Sequence, residues 1–192
     1  MIKDRLLEIY PELMFVQDEE MREKVIHACL SGLEQFGWEA KGSLENVPVN
    51  VGDLPSDTEA TNLEHIRSAA RGCKRAFDYL ESWCSEMGYQ LNRDVTMCGI
   101  LTHDIGKLVE YDRDENNLSC HRDIGNWFVH TTGGAYLTKK AGLPDAVTHL
   151  VLTHSHSQAP EGANAFETPE AAIIKWADFT SWSIVYLKYK SK

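Results

Sequence analysis

The sequence predicts an all-α fold, and three observations carry that prediction. Almost nothing in the 192 residues alternates apolar and polar with period two over a useful length, as a half-buried strand requires. Apolar residues recur instead three and four positions apart, which gathers them on one face of a helix. Capping chemistry also opens two of these periodic stretches, at Thr61 with Glu64 and at Thr168 with Pro169 and Glu170. Both patterns satisfy the unpaired N–H groups of a first turn.

The first clear helix covers residues 18–36, DEEMREKVIHACLSGLEQF, where Met21, Val25, Ile26, Cys29, Leu33 and Phe36 fall near helical spacing. Its acidic start suits the positive end of the helix dipole. The next stretch, GWEAKGSLENVPVNVGDLPSD, is rich in Gly, Pro and Asn and reads as a long irregular connection. Loops of this length in compact domains are more often functional or well packed than idle. From Thr61 a second helix carries Leu63, Ile66, Ala70, Cys73, Phe77 and Leu80 as its stripe and sets His65 in its first turn. A third starts around Asn92 to Asp94, runs through Val95, Cys98 and Leu101 to Asp104, and stops at Gly106, glycine being a natural helix stop.

Residues 110–128, EYDRDENNLSCHRDIGNWF, read as an exposed polar loop with room for a short hairpin. Gly133 to Ala141 forms the next helix, closed by Gly142, and Pro144 at a first helical position opens another, with Val147, Leu150 and Val151 apolar. Residues 155–167 form a second polar loop before the long terminal helix that Thr168 caps, through Ile173, Trp176, Ala177 and Ile184. On this reading residues 1–60 are a helical segment and long loop packing on the core, and residues 61–192 are the main helical domain.

Bulk properties narrow the function. The formal charge of −10 argues against non-specific nucleic-acid binding and against an anionic membrane as partner, since both select basic patches. A small anionic substrate remains compatible with it, because a bound metal reverses the local field. The five cysteines, Cys29, Cys73, Cys84, Cys98 and Cys120, form no C-x-x-C pair and are odd in number, so neither a zinc–cysteine cluster nor a disulfide framework is expected. The N-terminus does not read as a signal peptide, and no run approaches the length of a membrane span. A cytoplasmic location is the expectation, and a homodimer is compatible with the sequence without being indicated by it.

Of eight histidines, His65, His103, His130, His149, His154 and His156 fall where helices begin or end. Imidazole and carboxylate together suit divalent transition metals such as Fe, Mn, Co, Ni or Zn, and helix bundles build such sites between facing helices. A lone His65 would ordinarily be a surface or satisfied core residue. His103 and Asp104, adjacent in "LTHDIGKLVEY", share no helix face, so either a metal or a buried ion pair at a helix end has to account for them.

His65, the pair His103-Asp104 in "HDIGK", and Asp178 in "IIKWADFTS" resemble the H…HD…D signature of the HD-domain superfamily of metal-dependent phosphohydrolases. The segment "HTTGGAYLTKKAGLPDAVTHLVLTHSH" is similar to the one in which dinuclear members carry two further histidines, which fall on His130 and His154. The resemblance spans about residues 61 to 185. It implies an HD-type helical bundle with the metal site between core helices. His65, His103, Asp104 and Asp178 would hold one ion, and Asp104 would bridge to a second held by His130 and His154. Two divalent transition-metal ions there lower the pKa of a shared water and clamp an in-line displacement, so the implied reaction is attack of a bridging hydroxide on a phosphoester: a nucleotide, phosphomonoester or phosphodiester.

In that picture Asp104 and Lys107 are the catalytic residues, with Lys107 facing the substrate phosphate as a point charge; the alternative is a solvated lysine at a helix C-terminus. His156 competes with His154 as ligand, but on a continuing helix the two diverge by about 200°. His154 is preferred because it ends the apolar run, and His156 becomes a candidate for the substrate pocket. His121 and Arg122 can meet an anionic group or be part of a solvated loop. His149 reads as a structural or surface residue, His27 has no constellation, and Trp127 is a candidate pocket wall. Two other functions fit the same ligands. One is a di-iron oxygenase similar to the myo-inositol and phosphonate-cleaving oxygenases, and the other is a nucleotide-binding sensor without turnover.

Overall fold

Four of the helices begin where a side chain caps the first turn. The computed structural model describes residues 3–155 and 168–190, in the order α1 (Lys3–Ile9), α2 (Glu19–Gln35), α3 (Asn62–Glu86), α4 (Arg93–Thr102), α5 (Lys107–Glu110), β1 (Tyr111–Arg113), β2 (Ser119–His121), α6 (His130–Lys140), α7 (Asp145–Thr153) and α8 (Pro169–Tyr189). The side chains of Asp18, Asn92 and Thr168 accept from the N–H groups of Met21, Val95 and Ala171. Thr61 and Glu64 form a reciprocal capping box at the start of α3. The fold is all-α apart from the β1–β2 hairpin, which pairs Tyr111 with His121 and Arg113 with Ser119.

Three boundaries differ from the sequence reading, each for a physical reason. The helix α4 ends at Thr102, where the Thr102 hydroxyl and the His103 ring take the Cys98 and Ile100 carbonyls at 2.7 Å each. Gly106 is right-handed, with φ −67°, so glycine conformational freedom does not end the helix. The helix α6 starts at His130, three residues before Gly133, without a local side-chain cap. Its first N–H donates instead to the Glu110 carboxylate at 2.6 Å, a partner 20 residues away that no local pattern shows. Pro144 is the cap residue before α7 and not its first helical residue. Gly142 does close α6, with φ 76° and its N–H on the Lys139 carbonyl.

The helix α3 lies along α8, α4 packs on both α3 and α7, and α6 joins α5 and α7. Met97, Ile100, Leu101, Leu108, Leu137 and Ile174 fill the centre of one continuous core. Leu6, Leu13 and Trp38 from the N-terminal part belong to the same core. Two long-range bonds fix that part to the last turn of α4 and to α5: the Tyr10 hydroxyl donates to the Leu101 carbonyl at 2.9 Å, and the Trp38 indole to the Leu108 carbonyl at 3.0 Å. Burying a side chain of this size contributes roughly 1.5–3 kcal/mol, and the two bonds add direction. Farther along, Val49, Leu54 and Ala60 form a small separate cluster with Trp182, Val185 and Tyr189 of α8. Among the described residues no helix is long and apolar enough to cross a membrane.

Candidate metal centre

Because α4 stops at Thr102, His103 and Asp104 lie in the turn after the helix, and both side chains reach one centre. They meet His65 from the first turn of α3, His130 from the start of α6, His154 just past α7, and Asp178 from α8. The His65 and His103 Nε2 atoms are 3.3 Å apart. Asp178 Oδ1 lies 3.0 Å from the first and 3.5 Å from the second. Asp104 Oδ2 lies 3.3 Å and 3.6 Å from the same two nitrogens, while Asp104 Oδ1 is 3.5 Å from the Nε2 atoms of both His130 and His154. One buried carboxylate therefore belongs to two donor groups, His65–His103–Asp104 and Asp104–His130–His154.

The tautomers follow from what holds the other ring nitrogen. His103 Nδ1 donates to the Ile100 carbonyl and His154 Nδ1 to the Val151 carbonyl, both at 2.7 Å. His130 Nδ1 donates to Glu110 Oε2 at 3.1 Å. The Ser181 hydroxyl donates to the His65 carbonyl at 3.2 Å, so its oxygen accepts from His65 Nδ1 at 3.1 Å. Each imidazole thus turns its Nε2 inward, the arrangement in which an outer partner orients a metal-binding histidine. Between the His65 and His103 Nε2 atoms, 3.3 Å apart, and the facing carboxylates a positive charge is needed: a proton on His65 Nε2, hydrogen-bonded to Asp178 Oδ1 at 3.0 Å, or a metal ion in its place. Bonds of about 2.0–2.1 Å to one ion, at right to tetrahedral angles, place two nitrogens about 2.8–3.4 Å apart. The donor set therefore fits a divalent transition metal.

Electrostatics agree with a cation-seeking site. Burial alone would raise the Asp104 carboxyl, but the Lys107 ammonium and the surrounding imidazoles hold it well below the usual carboxylate range. Asp178 behaves alike: burial raises it, and His103 and His65 outweigh burial to bring it well below. Burial lowers His65, yet the carboxylates of Asp104 and Asp178 raise it overall, whereas burial keeps His130 below its ordinary value despite Glu110. Lys107, buried, donates to Asp104 Oδ2 and to the Val49 carbonyl at 2.6 Å each.

The cluster opens on a cavity of about 320 Å³. Beside Lys107, its lining includes Lys175, Tyr111, Phe179, Trp182 and the Asn50–Asp53 turn, none of which the sequence singled out. Two substrate candidates lie elsewhere. Arg122 donates to the Tyr111 and Phe36 carbonyls at 2.7 and 2.8 Å and lies 5.4 Å over the Trp38 ring, so it is a strut. His121 packs edge-on to the Tyr111 ring at 5.2 Å and does not line the cavity. Trp127 is 85% exposed and does not line this cavity. His156 lies outside the described residues. Glu110, Ser181 and Asn62 were invisible to motif reasoning, although Asn62 donates to the Asp104 carbonyl at 3.1 Å. A carboxylate beginning an apparently polar loop was the one local hint of Glu110.

Residues 63–182 match the family model for the HD domain. The chain is 30% identical over 169 residues to the dihydroneopterin 2′,3′-cyclic phosphate phosphodiesterase of Methanocaldococcus jannaschii, covering 85% of this chain and 63% of that one. It is 32% identical over 97 residues to ribonuclease Y of Thermotoga petrophila and, over the same length, to that of Fervidobacterium nodosum, covering 50% of this chain and 15% of each relative. The chain thus spans less than two thirds of the length of these relatives. No solved structure matches it.

Proposed function

The chain belongs to the HD-domain family, and on that premise we propose that it is a metal-dependent phosphohydrolase that cleaves a phosphodiester at the histidine–aspartate cluster. The observation that carries the reading is Asp104, whose two oxygens face two separate pairs of inward-turned imidazoles. Its similarity to a cyclic phosphate phosphodiesterase and to ribonuclease Y supports a diester in preference to a monoester.

His65, His103, Asp104 and Asp178 would hold one divalent ion, and Asp104, His130 and His154 a second. Bound there, such ions supply a Lewis acid for the phosphoryl oxygens and make water a nucleophile at neutral pH. The chain's own part is orientation. Four outer contacts fix the imidazoles, so the donors need no rearrangement when an ion enters. Lys107 has three N–H donors, two of them engaged by Asp104 and Val49, which leaves one for a phosphate oxygen in the cavity that Lys107 lines. Holding Asp104 ionised is its second role.

Metal analysis of the purified protein, combined with assays on phosphomonoesters, nucleotides and 2′,3′-cyclic phosphates in Mn, Co, Ni, Fe or Zn, tests the proposal. Metal-dependent diester hydrolysis that disappears in Asp104→Asn is the expected result. Two irons with substrate-dependent oxygen uptake and no ester cleavage would replace it with oxygenase chemistry, and tight nucleotide binding without turnover would replace it with a sensor.

A further inference from the structure

The residues that line the cavity are of two kinds. One is the metal-ligand cluster with two buried ammonium groups, Lys107 and Lys175. The other comprises aromatic rings, Phe179 and Trp182 on α8 and Tyr111, together with Asn50 and Asp53 of the irregular connection. Asp178 and Trp182 are four residues apart and so lie on one face of α8, separated along its axis by about 6 Å. That spacing is comparable with the reach of a sugar between its phosphate and its base.

Several contacts hold the aromatic part in shape. Trp182 is half-buried and packs on Val49, Leu54 and Ala60, so the connection that carries Asn50 and Asp53 also fixes the ring. The Asn50 side-chain amide donates to Asp53 Oδ2 at 3.2 Å, and the Asp53 backbone N–H donates back to Asn50 Oδ1 at 2.9 Å. Between them, the Val51 backbone is hydrogen-bonded to the buried Tyr111 hydroxyl. The result is an anchored indole and, on the segment that packs against it, an exposed carboxylate oriented by Asn50.

We propose that this aromatic part of the cavity binds a planar fused heteroaromatic ring with adjacent N–H donors, the amino and ring N–H edge that guanine presents. The ring stacks on Trp182 and donates to the Asp53 carboxylate while the phosphate reaches the metal-ligand cluster. The proposal rests on the phosphodiesterase reading for the phosphate end alone. An ionised carboxylate only accepts hydrogen bonds, so the adenine edge, which offers a ring-nitrogen acceptor in the same place, is rejected. Base stacking on an aromatic side chain is tolerant of base identity; the ring therefore supplies affinity and Asp53 supplies choice.

The test uses the purified metal-loaded protein, calorimetric binding of guanosine and adenosine 3′-monophosphates, and turnover of the matching 2′,3′-cyclic phosphates. Wild type is expected to favour guanine by about ten-fold or more, the scale of one bidentate edge contact. Asp53→Ala should bring the guanine-to-adenine ratio close to one. Trp182→Ala should weaken both bases by about ten-fold, and Trp182→Phe, which keeps a ring on the Val49 cluster, should restore most of the loss. Equal affinity for the two bases in wild type, or an unchanged ratio in Asp53→Ala, overturns the proposal. A guanine preference that follows Asp53 in binding but accompanies no ester cleavage overturns the phosphodiesterase reading alone, whereas turnover blind to the base overturns the subsite alone.

Discussion

Replacing Gly106 by alanine tests how the turn after Asp104 is held against α6. An added Cβ at this position meets the His130 carbonyl oxygen at 1.8 Å and the Gly134 nitrogen at 2.4 Å. Both obstacles are backbone, so no rotamer change relieves them. Restoring an ordinary contact near 3.4 Å requires α6 to retreat by about 1.6 Å, and overpacking of this kind costs about 1–3 kcal/mol or more. For a chain of this size that lowers Tm by roughly 2–12 °C. His130 begins α6, and its Nε2 lies 3.5 Å from Asp104 Oδ1; a retreat of about 1.6 Å removes it from the shared carboxylate while His65, His103 and Asp178 stay. Differential scanning calorimetry and metal analysis on the same sample give both readouts. Unchanged Tm together with unchanged metal content in Gly106→Ala would refute the close-approach reasoning.

Glu110→Gln keeps an acceptor for the His130 N–H groups but removes the charge, and metal affinity at the His130–His154 side is expected to fall by about 10- to 100-fold, measured by competition with a chelator. Removing metal from wild type should lower Tm: saturation at 100 times Kd contributes about 2.7 kcal/mol, so a loss of roughly 5–11 °C is expected on chelation, and an unchanged Tm would argue that no ion enters the folded site. Acid stability should depend on Asp112. Burial raises its carboxyl, but Lys41 at 2.5 Å, the Arg113 N–H and Arg122 bring it below its ordinary 3.8. Its contribution is full above that value and is lost as pH falls through the lower folded value, so urea titrations of Asp112→Asn between about pH 5 and pH 2 should show a shallower decline than wild type.

The helices that carry the site were legible because their signals are local. Thr61 and Glu64, Asn92, and Thr168 with Pro169 cap from within their own first turns, and the six donor residues are distinctive in type and order. What the chain concealed was settled by distant partners. Glu110 looked like the edge of an exposed loop, yet it is buried because the start of α6, twenty residues on, takes its carboxylate. Arg122 looked available to an anion, yet two backbone carbonyls and the Trp38 face claim it. Trp127, apolar and near His130, was a natural wall in sequence, but the walls come from Phe179 and Trp182. A polar or aromatic side chain announces its chemistry in sequence, while its direction depends on what packs around it.

The histidines that follow α4 and α7 tie Nδ1 to the carbonyl three residues back, so the last turn of each helix aims its own donor. Adding or deleting one residue within either helix rotates that ending by about 100° and swings the imidazole away from Asp104. Homologous chains that keep this centre should therefore vary freely in the lengths of their connections while α4 and α7 keep a fixed register, giving a criterion for alignment by counting residues between core positions such as Met97 and Leu150 and the histidines that follow.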